Sequence, residues 1–253
     1  MLEQLLQLEL FALAIVFIRI GTIMMFLPGF SAQFVSMRIR LALALAITFV
    51  VTPVLVDDLP VMPESPAAFG LLVLGEAAIG VFIGSLARAI TAALQAAGVF
   101  TSLFSSLANA LILDPIAEQQ SATIGGFLSI LGLVLVFVSD LHHLMLRALV
   151  DSYGLFAPGS LMSFGDATEM LARTVTDAFA LGLKLSSPFL IVGLTYYVGI
   201  GVLGRLMPQL PVFFFGLPLQ ISIQIWVMAL ALSGMMLVFL QHFSEGIGAI
   251  LAP

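Results

Sequence analysis

Asp140, His143, Arg147 and Asp151 stand at i, i+3, i+7 and i+11, a spacing that lines side chains along one face of a helix. Further on, Glu169, Arg173 and Asp177 follow at successive i+4 steps, with Lys184 seven residues beyond. Alternating charge on a helical face has two readings: a relay that passes protons or ions, or a stripe that contacts neighbouring subunits. An unpaired Lys or Asp at mid-membrane costs about 2.5–3.5 kcal/mol. Opposite charges one turn apart lower that cost when their face meets protein or water.

Asp140, His142 and His143 raise the question of a metal. Adjacent residues on a helix point about 100° apart, so His142 and His143 are not expected to face one ion. That leaves Asp140 and His143, and two ligands do not make a zinc site. No metal and no cofactor is expected. Glu76 and Arg88 lie about 120° apart around a helix, so they do not pair directly and each needs another partner. The sequence holds no H-E-x-x-H, no G-x-S-x-G and no phosphate-binding G-x-x-x-x-G-K, and no serine has a base at a recognisable spacing. A catalytic role is not expected.

The elements that position these residues are apolar. Hydrophobic residues make up 61% of the chain and charged ones 9%, where a water-soluble domain carries about a quarter. The surface itself must therefore be apolar and face lipid or other apolar subunits. Long blocks run approximately Leu10–Leu27, Ile39–Val56, Phe69–Leu94, Ile124–Val138 with an extension to Val150, Val175–Leu203 and Val212–Leu240. About 20 residues of helix cross a bilayer core, and most blocks reach that length. Leu41–Val56 and Leu128–Val138 are apolar at every phase, which excludes the alternation of barrel strands. The expected fold is all-α and integral to the membrane, with about six long apolar helical segments in a single domain spanning 1–253.

Proline and glycine punctuate the blocks. Pro28-Gly29 ends the first; Pro53, Pro60, Pro63 and Pro66 with Asp57 and Asp58 form a stiff acidic turn; Pro188 is expected to kink the fifth block. Pro208, Pro211 and Pro218 predict an irregular start to the sixth. Gly75, Gly80 and Gly84 with Ala77 and Ala78 form a small-residue strip, and Gly199, Gly201 and Gly204 do likewise, as helices need for close packing in lipid. Arg38, Arg40 and Arg205 against Asp57, Asp58, Glu64 and Glu245 predict both termini outside and the loops near 38, 110 and 206 in the cytoplasm, with Arg147 dissenting. Met1–Glu9 has no basic segment, so no cleaved signal peptide is expected. Without cysteine there are no disulfides, and a net charge of −6 argues against a nucleic-acid partner.

Three stretches together resemble the FliR family of flagellar biosynthetic proteins and its injectisome relatives. The first has Arg19 in an apolar block, then Pro28, Arg38, Arg40 and Pro53. The second has Gln95-Ala-Ala-Gly98, Leu113-Asp-Pro-Ile-Ala-Glu-Gln-Gln-Ser121, Asp140-Leu-His-His143, Ala148, Ser152-Tyr153 and Pro158-Gly159. The third has Gly204-Arg-Leu-Met-Pro-Gln-Leu-Pro-Val-Phe213 and Gly216-Leu-Pro-Leu219, with Pro211 where the family usually has Asn.

The resemblance implies a subunit of the type III protein export gate in the bacterial inner membrane, within the flagellar basal body. It implies FliP and FliQ as core partners, FlhB and FlhA as associated ones, and unfolded flagellar proteins in transit. It also implies kinked helical hairpins in a multi-subunit assembly. In such proteins a loop plugs the pore; by position this is Thr101–Gln120, with Phe104, Leu107, Leu111, Ile112, Leu113, Asp114 and Pro115 at its centre. That segment is too mixed to span a bilayer and too apolar for an outside loop, and apolar constrictions close pores by dewetting. Glu76, Arg88, Asp140, His143, Arg147, Arg173, Asp177, Lys184 and Arg205 are the candidate intramembrane or subunit-contact charges. Two alternatives stay open: a virulence-type injectisome gate, or a small secondary transporter with Glu76, Arg88 and Lys184 around a midplane site.

Overall fold

The computed structural model describes residues 2–105, 118–160, 162–209 and 212–251. Among them the regular structure is helical: α1 (Leu2–Phe26), α2 (Met37–Leu55), α3 (Pro66–Phe104), α4 (Glu118–Val138), α5 (Leu141–Leu155), α6 (Phe164–Leu206) and α7 (Val212–Leu251), with a short 3-10 turn at Val56–Asp58. Five helices are long and apolar enough to cross a membrane, and α4 with α5 supplies a sixth if counted as one broken span. The expectation of an all-helical membrane protein holds.

Local chemistry sets the ends. Ser36 caps α2 by accepting from the Ile39 N–H at 3.4 Å, and Ser65 accepts from Ala68 N at 3.2 Å ahead of α3, which begins on Pro66. Beyond α1, Gly29 takes a left-handed φ of 86° in the turn that proline forces.

Several helices outrun the blocks read from the sequence. At 39, 43 and 40 residues, α3, α6 and α7 are about twice as long as a bilayer core requires. Helix α3 continues to Phe104 because its serine hydroxyls are absorbed by the helix itself, Ser102 Oγ donating to Gly98 O at 2.8 Å. Pro188 lies inside α6 and Pro218 inside α7, so neither ends its helix. The fourth block is not one helix. It breaks at Ser139-Asp140, where Asp140 adopts φ 59°, a left-handed conformation that Asp tolerates better than most residues.

The chain forms two compact units: Met1–Ile90, Ser139–Val175 and Ser244–Pro253 make the first, Thr91–Val138 and Thr176–Phe243 the second. In the first, Ile15, Ile20 and Ile23 of α1 are enclosed together with Ile79 and Leu86 of α3 and Leu149 of α5. Gly84 sits where a Cβ would lie 2.5 Å from Phe26 Cβ and 3.2 Å from Ile23 O, so α1 and α3 touch backbone to backbone. The second unit encloses Leu94, Leu128, Phe189 and Phe239. There Gly182 packs on α3, a Cβ at that position falling 3.0 Å from Ala93 O. The strip at Gly199, Gly201 and Gly204 meets nothing within 4 Å. Much of the outside is apolar, with Phe49, Leu74, Trp226 and Leu230 among its exposed side chains. Only 11% of the apolar window of α6 is buried within the chain, against 44% for α1.

Candidate functional site

A charged knot lies inside the first unit. Arg19 is fully enclosed on α1, where it is the one charged residue between Leu10 and Phe26. Its Nε donates to Glu76 Oε2 of α3 at 2.6 Å, and both side chains are 0% exposed. Nη1 donates to the carbonyls of Phe156 at 2.8 Å and Ser152 at 3.3 Å, where α5 ends. A helix C-terminus gathers unsatisfied carbonyls and partial negative charge, so a guanidinium is at home there. The guanidinium carbon also lies 4.2 Å from the centroid of the Tyr153 ring, within cation–π range.

The partners are fixed in turn. Tyr153 OH donates to Val16 O at 3.3 Å, and Glu76 Oε1 accepts from Gly159 N at 2.9 Å. Gly159 has φ +80°, a conformation in which a Cβ is strained, and this presents its N–H to the carboxylate. One ion pair thus fastens α1, α3, the end of α5 and the turn after it. Arg19 Nη2 is buried without a hydrogen-bond partner. Glu76 therefore pairs not with Arg88 but with a residue of another helix, and Arg88 is exposed on α3. Sequence reasoning placed Arg19, Ser152-Tyr153 and Pro158-Gly159 only among the family-like residues and gave them no role. The available signal was an arginine in an apolar block, which has to find a counter-charge.

The two charged runs remain on the outside. Arg147 pairs with Asp151 at 3.4 Å and His143 Nδ1 lies 3.8 Å from Asp140 Oδ1, all with exposed side chains. Asp140 belongs to the break ahead of α5, so the four residues do not form a stripe on one helix. Arg173 bonds Glu169 one turn away, and Asp177 and Lys184 are exposed on the same helix. Arg205 is exposed in the last turn of α6.

The two histidines follow the break, side by side in the first turn of α5. Ligand atoms of Asp140, His142 and His143 all lie within 4.8 Å of one another. Adjacent residues of one helix point about 100° apart, yet the two rings lean together, with centroids 4.1 Å apart.

Of the expected plug residues, Leu107, Leu111, Ile112, Leu113, Asp114 and Pro115 lie outside the described residues, as does Pro211. Phe104 is half-buried at the end of α3, its ring stacked on Phe100 at 6.3 Å, and Phe100 meets Phe179 edge-on at 5.1 Å. Gly193 allows the Phe104 carbonyl in close, since a Cβ there would lie 2.5 Å from that oxygen.

Long apolar helices, a lipid-compatible exterior and a buried charge clamp define a helical membrane protein, with several helices long and apolar enough to cross a bilayer. The chain belongs to the bacterial export proteins, family 1, whose pattern it matches over residues 10–246. It is similar to the flagellar biosynthetic protein FliR of Caulobacter vibrioides, 33% identical over 94% of each chain. It is also similar to FliR of Escherichia coli, 30% identical over 86% of this chain and 83% of that one. The secretion system apparatus protein SsaT of Salmonella typhimurium is 27% identical over 83% of each.

Proposed function

We propose that this chain is a structural, channel-forming subunit of a flagellar type III protein export gate. It sits in the bacterial inner membrane at the basal body, beside FliP and FliQ, with FlhB and FlhA associated, and unfolded flagellar proteins pass the pore it helps to build. The role is non-catalytic. One observation carries the reading: in a member of an export-protein family, the apolar window of α6 is only 11% buried by the chain itself. A surface of that kind calls for lipid or apolar neighbours to cover it. The exposed charges at Asp140–Asp151 and Glu169–Lys184 are then contacts for those neighbours, since charge in apolar surroundings needs protein or water around it.

Thr101–Gln120 is the resting seal of the pore, with Phe104, Leu107, Leu111, Ile112 and Leu113, followed in sequence by Asp114-Pro115, as its sealing residues. Its mixed composition and the anchoring of Phe104 on Phe100 support this role. A virulence secretion gate is the second reading, favoured by the likeness to SsaT. The flagellar reading stands first because 33% identity to a FliR exceeds 27% to SsaT.

The test is affinity purification of the tagged chain from native membranes, with mass spectrometry of what accompanies it. FliP-like and FliQ-like subunits are expected in fixed ratio. A chain that purifies alone and catalyses solute uptake into vesicles is a transporter, and overturns the reading.

A further inference from the structure

We infer that Asp140, His142 and His143 form a binding site for a borderline divalent transition ion, with Zn2+ the best match. Each residue offers one ligand atom, and the three atoms fall within 4.8 Å of one another. Zinc takes nitrogen and oxygen donors at about 2.0–2.2 Å, which places tetrahedral neighbours about 3.3–3.5 Å apart. His143 Nδ1 and Asp140 Oδ1 already stand at 3.8 Å, so these two exposed side chains need shifts of only tenths of an ångström to share an ion, and His142 closes from within 4.8 Å.

The fold arranges this by breaking the helix. Asp140 occupies the N-cap position of α5, where an Asp ordinarily accepts from the first turn, yet its side chain makes no cap hydrogen bond. The carboxylate is turned to His143 instead. The left-handed backbone at Asp140 takes it out of the helical register, which brings it to both imidazoles. Arg147, one turn beyond His143, is held by Asp151 at 3.4 Å, so that cation is already matched by a carboxylate of its own.

Two neutral imidazoles and one carboxylate suit Zn2+, Ni2+ or Co2+ rather than the all-oxygen preference of Mg2+ and Ca2+. Three protein ligands leave a fourth position for water. The inference does not depend on the export role, because it concerns only what these three side chains bind.

The test titrates Zn2+ into the purified full-length chain in detergent, and separately Co2+, whose visible absorption reports tetrahedral ligation. The expected result is about one ion per chain, with affinity lowered about tenfold or more in Asp140→Asn and in His142→Ala/His143→Ala. Asp140→Asn keeps a residue that tolerates the left-handed backbone, so it separates loss of ligand from loss of fold. Asp166→Asn, an exposed carboxylate on α6 away from these residues, should bind as the parent does. Equal binding by the parent and both ligand variants overturns the site, and so does an equal drop in Asp166→Asn, which marks general surface charge.

Discussion

Arg19 and Glu76, 57 positions apart in the chain, meet at 2.6 Å with neither side chain open to the surroundings. Removing one member of such a pair strands the other charge, which costs about 3–5 kcal/mol, whereas replacing both by apolar residues of similar size is often near neutral. Glu76→Ala should therefore lower the thermal unfolding midpoint of the detergent-purified chain sharply. The double variant Arg19→Met/Glu76→Leu should recover most of the loss. A double variant as unstable as the single one would show that the hydrogen bonds to Phe156 and Ser152, rather than the ion pair, hold the knot together.

Gly80 tests the closeness of α1 to α3. A Cβ there would meet the Thr22 side chain and lie 2.9 Å from the Arg19 carbonyl, so the helices would have to part. Gly80→Ala should destabilise by about 1–3 kcal/mol, the range for overpacking. Gly75→Ala, on the same helix with nothing within 4 Å, should be neutral or stabilising by up to about 1 kcal/mol. Parallel thermal melts of the two variants decide the matter.

Arg173 separates stability from assembly. Its bond to Glu169 is exposed, and exposed pairs are worth about 0–1 kcal/mol. Arg173→Glu should leave the melting of the isolated chain nearly unchanged while lowering recovery of partner subunits on affinity purification. Full recovery combined with lost coupling to the proton gradient would assign the run to a relay.

The seal is tested by deletion. Removing residues 104–113 should raise ion leak through assembled complexes reconstituted in vesicles, because apolar side chains that exclude water are gone. Unchanged leak with normal assembly would reject the plug.

Much of the architecture was legible because spans announce themselves by length and apolarity. The ion pair was not legible: comparing phases on one helix finds neighbours at i+3 and i+4, and Arg19 and Glu76 sit on different helices. The break at Asp140 was hidden by the apolar residues on either side. Ser139-Asp140, two turn-favouring types in succession, was the visible sign of it. Helix α3 outlasted its apolar block because Thr101 and Ser102 look polar in sequence but are buried in the structure, Ser102 with its hydroxyl bonded one turn back.

Trp226 is the sole tryptophan in the chain, and 72% of it is uncovered. Ultraviolet emission excited at the indole band therefore originates from a single known place on α7. Its colour and its quenching by brominated lipid give a label-free optical record of when that place passes from acyl chains to protein.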